Sequence, residues 1–310
     1  MTAYVIRRLL QGIFVVFVVS FITFFIIQAG PGDPIEQMLG EGAQQMTQED
    51  LDRIREKWGL NDPWYVQYWS WLSNLAQGDM GISIVRVGQP VSDMVFEAAG
   101  PTVRLNLIAL AVAVIIAIPA GMIAALRRYT PIDSSIMITA SGGVALPNFW
   151  VGLMLIVLFT GTLGWLPATG FSTWKHYIMP VTVLAITEFA ILARLTRGTM
   201  LEVLHQDYMN TARSKGLAER TVIIRHAVRN AMLPIITVVG YRSAFLLSGT
   251  VVIETIFAIP GLGRLFYQSV TRSDYQVVQG IVLSFTLLVV FMNIITDLLY
   301  AVIDPRIRLK

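Results

Sequence analysis

Residues 208–234 read YMNTARSKGLAERTVIIRHAVRNAMLP, a cationic, helix-prone island between two strongly apolar runs. Arg213, Lys215, Arg220, Arg225 and Arg229 stand against a single acid, Glu219. Glycine tolerates a left-handed helix end, so one short helix is expected to stop at Gly216 and a second to begin near Ala218. The second places Val222, Ile223, Ala227 and Met232 on other faces than Arg220, Arg225 and Arg229. That is the pattern of an amphipathic helix, expected to end at Leu233-Pro234.

The flanking runs decide the class. Of 310 residues 55% are hydrophobic and only 14% charged, too apolar a balance for a soluble domain. A chain without cysteine excludes a disulfide framework and a thiolate metal site. Its basic residues sit at the ends of apolar runs rather than in one aromatic-interleaved patch, which argues against nucleic acid as a partner.

A hydrocarbon core of about 30 Å needs about 20 apolar residues in helix. Six stretches meet this: 9–29, 102–126, 136–163, 178–198, 235–257 and 281–303. The expected fold is thus an all-α polytopic membrane protein with six transmembrane helices. The first stretch follows Arg7-Arg8 but exceeds a signal-peptide core, and is expected as a retained span. Lys and Arg concentrate before the first stretch, at Arg127-Arg128, between Arg194 and Arg229, and in the tail at Arg306, Arg308 and Lys310. Cytoplasmic segments carry such an excess, so both termini and the 208–234 island are expected in the cytoplasm.

This divides the chain into a cytoplasmic stub with the first span (1–29), an extracytoplasmic domain (30–101), a five-helix core (102–303) enclosing a cytoplasmic loop (199–233), and a cytoplasmic tail (304–310). In the outer segment, Thr47-Gln48-Glu49-Asp50 suits a helix start, its hydroxyl accepting from free amides. Trp64, Tyr65, Tyr68, Trp69 and Trp71 follow at near-helical spacing, a stripe suited to packing or to a membrane-interface belt.

Ionisable residues within spans mark a pathway or a partner. Four stand out: Glu188, Arg242, Glu254 and Asp297. Arg242, Glu188 and Asp297 fall at comparable depth, so Arg242 is expected to pair with Glu188 or Asp297, with a proton relay as the other reading. Glu254 lies near the outer end, where it is expected to reach water. Pro147 and Pro180 remove helical hydrogen bonds, and Gly142-Gly143 add a soft point. Such breaks persist at membrane depth where protein or a cavity satisfies the freed carbonyls, which suits a translocation path and equally a packing kink. Candidates for that path are Pro147, Asn148, Glu188 and Arg242.

Several words of the sequence resemble the first permease of the dipeptide and oligopeptide ABC importers. They are AGPGDP (29–34), GDMGIS (78–83), ALPNFW (145–150), GWLPATG (164–170), IPGLGRL (259–265) and DPRIR (304–308). Ala212 followed four residues later by Gly216, then Leu233-Pro234, is similar to the cytoplasmic coupling loop of these permeases. Asn210-Thr211 stands where a Glu-Ala pair is usual, and the interval after Gly216 has the longer form of the peptide permeases. The resemblance implies a permease subunit in the bacterial inner membrane, paired with a second homologous permease. Two cytoplasmic ABC ATPases and an extracytoplasmic binding protein would complete an importer working by alternating access. It makes Tyr208, Thr211, Ala212, Arg213, Lys215, Gly216 and Leu217 the ATPase-coupling residues. It implies dipeptides or oligopeptides as cargo, although similar permeases serve glutathione, nickel or sugars.

No cofactor is expected in this chain, ATP and magnesium belonging to the partner ATPases. None of Lys57, Lys175, Lys215 or Lys310 is followed by Ser or Thr, so no phosphate-binding P-loop is present. His176, His205 and His226 are scattered without metal-ligand spacing, and no catalytic elbow appears. The chain is therefore not expected to be an enzyme. A second reading is an ion-gradient-driven transporter or channel with Glu188 and Asp297 as carriers. A basic helix lying on anionic lipid is a further reading of 208–234 alone.

Overall fold

Inside lipid every backbone amide needs a partner from the chain itself, so apolar runs of this length become helices. A computed structural model describes residues 2–28, 47–57, 61–246 and 250–303 and, within these, all side chains except those of 2–5, 27, 54, 55, 57, 244–246 and 297–303. In order come α1 (Thr2–Gln28), α2 (Gln48–Lys57), α3 (Trp64–Ala76), α4 (Val91–Leu126), α5 (Pro131–Ala145) and α6 (Asn148–Leu155). Helix α6 continues into π-helical turns Ile156–Thr162, followed by α7 (Lys175–Leu204) and α8 (Asp207–Ser214). A short α9 (Glu219–Thr221) runs through π-helical turns Val222–Val228 into α10 (Arg229–Leu246). The last helices are α11 (Val251–Ile256), α12 (Leu262–Thr271) and α13 (Tyr275–Ile303). Among the described residues the only β pairing is an isolated bridge between Ile82 and Pro90.

Among the described residues five helices are long and apolar enough to cross a bilayer, and α5 with α6 makes a sixth crossing only as a pair bent by 101°. The straight third span expected over 136–163 is therefore broken. Pro147 forces Leu146 into an extended conformation (φ −95°, ψ 132°), which ends α5 and starts α6 in a new direction. The fifth crossing also differs from expectation, running over Glu219–Ser243 rather than 235–257. Pro234 lies inside α10 and does not end the amphipathic helix. Its ring removes one hydrogen bond, a loss that membrane helices accommodate. Val251–Ile256 is a separate helix packed against α6 and α12.

The seam between α4 and α7 is the centre of the molecule. On α4, Ala109, Ala113, Ala117, Gly121 and Ala125 recur every four residues, and all are buried. This row of small side chains lets the two backbones approach. A Cβ on Gly121 would lie only 2.6 Å from the Ala193 carbonyl and the Thr196 Cβ of α7.

Helix α4 begins at Val91, so the end of the stretch assigned to an outer domain consists of its first turns. Thr47 caps α2, its Oγ1 accepting from the Asp50 amide at 3.3 Å. The aromatic stripe of α3 packs on α1: Tyr68 is buried, shares a 2.9 Å hydrogen bond with Ser20, and stands edge-on to Phe17, Phe21 and Phe24.

Candidate coupling and translocation site

Residues 207–228, the stretch assigned to coupling, fold as a short helix, a glycine turn and a second helical piece. Helix α8 ends where Gly216 adopts φ 76°, its amide donating to the Arg213 carbonyl at 2.9 Å. A side chain there would meet nothing within 4 Å, so glycine is needed for its backbone angle and not for space. Across this turn Arg213 and Glu219 face each other, Nε to Oε2 at 3.2 Å and Nη2 to Oε1 at 3.0 Å. That hydrogen bond raises the Arg213 guanidinium above its ordinary range, keeping it charged. Asn230, in the first turn of α10, donates to the Tyr208 hydroxyl at 3.1 Å and ties α8 to that helix.

Underneath, Met209 and Ala212 are buried in one apolar cluster with Ala125 of α4, Met200 of α7, and Val222, Ala227 and Ala231. Tyr208, Thr211, Arg213, Lys215, Gly216 and Leu217 remain exposed on the outside. Of the seven residues assigned to coupling, Ala212 thus faces inward, where its small size seats the helix against the ends of α4 and α7.

Further along α7, the structure brings the path candidates together. Asn148, at the start of α6, accepts from the Thr187 hydroxyl at 2.8 Å. The next residue, Glu188, is buried and pairs with Arg242 of α10 at two points, Nε to Oε2 at 2.8 Å and Nη2 to Oε1 at 2.5 Å. The proline break and the ion pair thus occupy one level of α7. Such a two-point pair fixes orientation as well as charge. The Asp297 side chain lies outside the described ones.

Glu254 overturns its expectation of reaching water, since it is completely buried. It accepts from the Thr102 hydroxyl at 2.7 Å and from the Arg264 amide at 3.0 Å. Thr102 in turn accepts from the Leu262 amide at 2.8 Å. Glu254 therefore caps α12 and binds it to α4, using the free amides and the positive end of that helix. A Cβ on Gly261 would overlap its carboxyl group, which explains the glycine in IPGLGRL. The spacing of Glu254 from that glycine pair was the one available signal.

Two further carboxylates escaped sequence reasoning. Asp133 pairs with Arg197 at 2.6 and 2.8 Å and accepts from the Tyr129 amide at 3.1 Å, joining the start of α5 to the end of α7 beside the coupling cluster. Asp274 is buried and accepts from Ser83 at 2.5 Å, which fastens GDMGIS to the start of α13. Neither falls within an expected span, so neither stood out. Among the described residues no cluster of His, Cys, Asp and Glu could hold a metal ion.

Residues 1–117 match the N-terminal membrane component of binding-protein-dependent transport systems, and residues 117–309 match the inner membrane component of such systems. The chain belongs to this family. The permease is 44% identical to the oligopeptide transport system permease protein AppB of Bacillus subtilis, over 99% of its own length and 100% of that protein's. It is 41% identical to the glutathione transport system permease protein GsiC of Escherichia coli K12, over the full length of both. Its fold is similar to an amino acid ABC transporter (TM-score 0.53, 18% identity, 68% of the permease and 94% of that chain). It is also similar to the methionine ABC transporter MetNI in inward-facing conformations (TM-score 0.55, 14% identity, 68% and 96%). The permease is a multi-pass membrane subunit of the ABC importer class.

Proposed function

We propose that the permease imports short peptides, dipeptides or oligopeptides, from an extracytoplasmic binding protein. A second homologous permease forms the other half of the path, and two cytoplasmic ATPases drive it. Both termini and residues 199–233 lie in the cytoplasm, with the stretch before Val91 outside. The observation that carries this reading is the build of the coupling handle: an exposed cationic rim on a buried apolar base continuous with α7. Movement of an ATPase against Tyr208, Thr211, Arg213, Lys215 and Leu217 is passed through Met209 and Ala212 to the end of α7. The same helix carries Glu188 and anchors Asn148, so its tilt moves the ion pair and the bend at Pro147 together. Similarity to the oligopeptide relative over its whole length supports the cargo class.

Engagement of Glu188 by Arg242 weighs against the gradient-driven reading, since a carrier carboxylate must be free to change its proton. The test is reconstitution of the assembled importer in vesicles with ATP inside. Uptake of a labelled peptide that needs ATP and survives collapse of the proton gradient is the expected result. Uptake that stops with the gradient while ATP persists overturns the proposal. Parallel assays with glutathione decide between the two substrate classes named among its relatives.

A further inference from the structure

A groove of about 1160 Å³ runs between α1 and α13, and the transport mechanism makes no use of it. At its floor the helices touch: a Cβ on Gly12 would come within 2.7 Å of Val290. Above that contact Phe14, Val15 and Val289 form apolar walls, with Phe14 and Val15 well exposed. Among the described lining residues the charged ones, Arg7 and Arg8, lie at one end and line the opening. Gln11 and Asn293, both exposed, add polar atoms at the level of Gly12.

Length narrows the occupant. Beyond the arginines the lining of α1 extends from Leu10 to Val19, roughly 14 Å at the helical rise, which is close to one leaflet, about 15 Å, of a core about 30 Å thick. A neighbouring transmembrane helix would cross the whole core and overrun the groove. An amphiphile with an anionic head and tails one leaflet long matches both the length and the one-ended charge. Basic openings between transmembrane helices attract anionic lipid head groups.

We propose that this groove seats one anionic phospholipid, with its phosphate at Arg7 and Arg8, its ester region at Gln11 and Asn293, and an acyl chain along Phe14, Val15 and Val289. The site requires that α1 crosses the bilayer and does not depend on which face its first residues meet.

Native mass spectrometry of the assembled, delipidated importer, titrated with phosphatidylglycerol or phosphatidylcholine, tests it. At roughly five-fold per basic residue, a preference of about 25-fold for phosphatidylglycerol is expected. The double variant R7Q/R8Q should abolish that preference. Because those arginines also help to orient the first helix, V15W serves as a second variant: it fills the apolar part with the charges intact and should lower retention of both lipids. Equal retention of the two lipids by the native importer, or full retention by V15W, overturns the site. So does shielding of N293C from a thiol reagent by the second permease in the lipid-free complex, a clean readout because the native chain has no cysteine. An importer that takes up peptide yet shows no lipid preference refutes this site alone.

Discussion

Glu188 of α7 and Arg242 of α10 meet through two hydrogen bonds, 2.8 and 2.5 Å, with the carboxylate buried and the guanidinium partly so. Removing one member leaves the other charge without its partner in a dry setting, a loss of about 3–5 kcal/mol. Arg242→Met is therefore expected to lower the unfolding temperature of the purified importer sharply. The double replacement Glu188→Leu with Arg242→Met should recover much of that loss. Single and double variants of equal stability would show that the pair is not structural.

At Gly216 the strain is in the backbone alone, because φ is 76° and no atom crowds the position. Gly216→Val should cost about 1–2 kcal/mol locally and uncouple ATP hydrolysis from uptake. Gly216→Asn, which tolerates the left-handed region, should retain both. Normal uptake by an assembled Gly216→Val importer would remove the turn from the coupling mechanism.

Ala212 and Leu217 separate seating from contact. Ala212→Leu overfills the buried cluster, and a destabilisation of about 1–3 kcal/mol is expected in thermal unfolding. Leu217 is 41% exposed, so Leu217→Ala should leave the isolated subunit as stable as before. Its effect should appear in the affinity for the ATPases, measured by co-purification. The reverse pattern would place the contact surface elsewhere.

For Glu254 the comparison is between two neutral replacements. Glu254→Ala strands the Thr102 hydroxyl and the Arg264 amide, at about 1–3 kcal/mol each. Glu254→Gln keeps one acceptor oxygen and should lose less. Unfolding curves that fail to distinguish Ala from Gln would return Glu254 to the solvent.

Much of the coupling segment was legible because its signals are local: Gly216 between two helix-forming runs, and arginines off the apolar face. The helix stop and restart follow from those residues alone. The continuation through Leu233-Pro234 was not legible, since proline only weakens a helix and neighbouring packing decides whether it ends one. Pro147 breaks the chain and Pro234 does not, although both sit in apolar surroundings. Glu254 was misread for a similar reason. Depth along a straight span placed it near water, whereas the chain turns at Ile259-Pro260 and folds α12 back over it.

Composition, run length and cation placement determined by themselves that this chain is a helical membrane protein with a basic segment between its apolar runs. These properties depend on the free energy of burying or exposing each residue in turn. Which partner each charge meets was decided only by the tertiary structure: Arg242 with Glu188, Arg197 with Asp133, and Glu254 with the Thr102 hydroxyl. A charge finds its partner across space, and helix packing through the small-residue seam of α4 and α7 sets those distances.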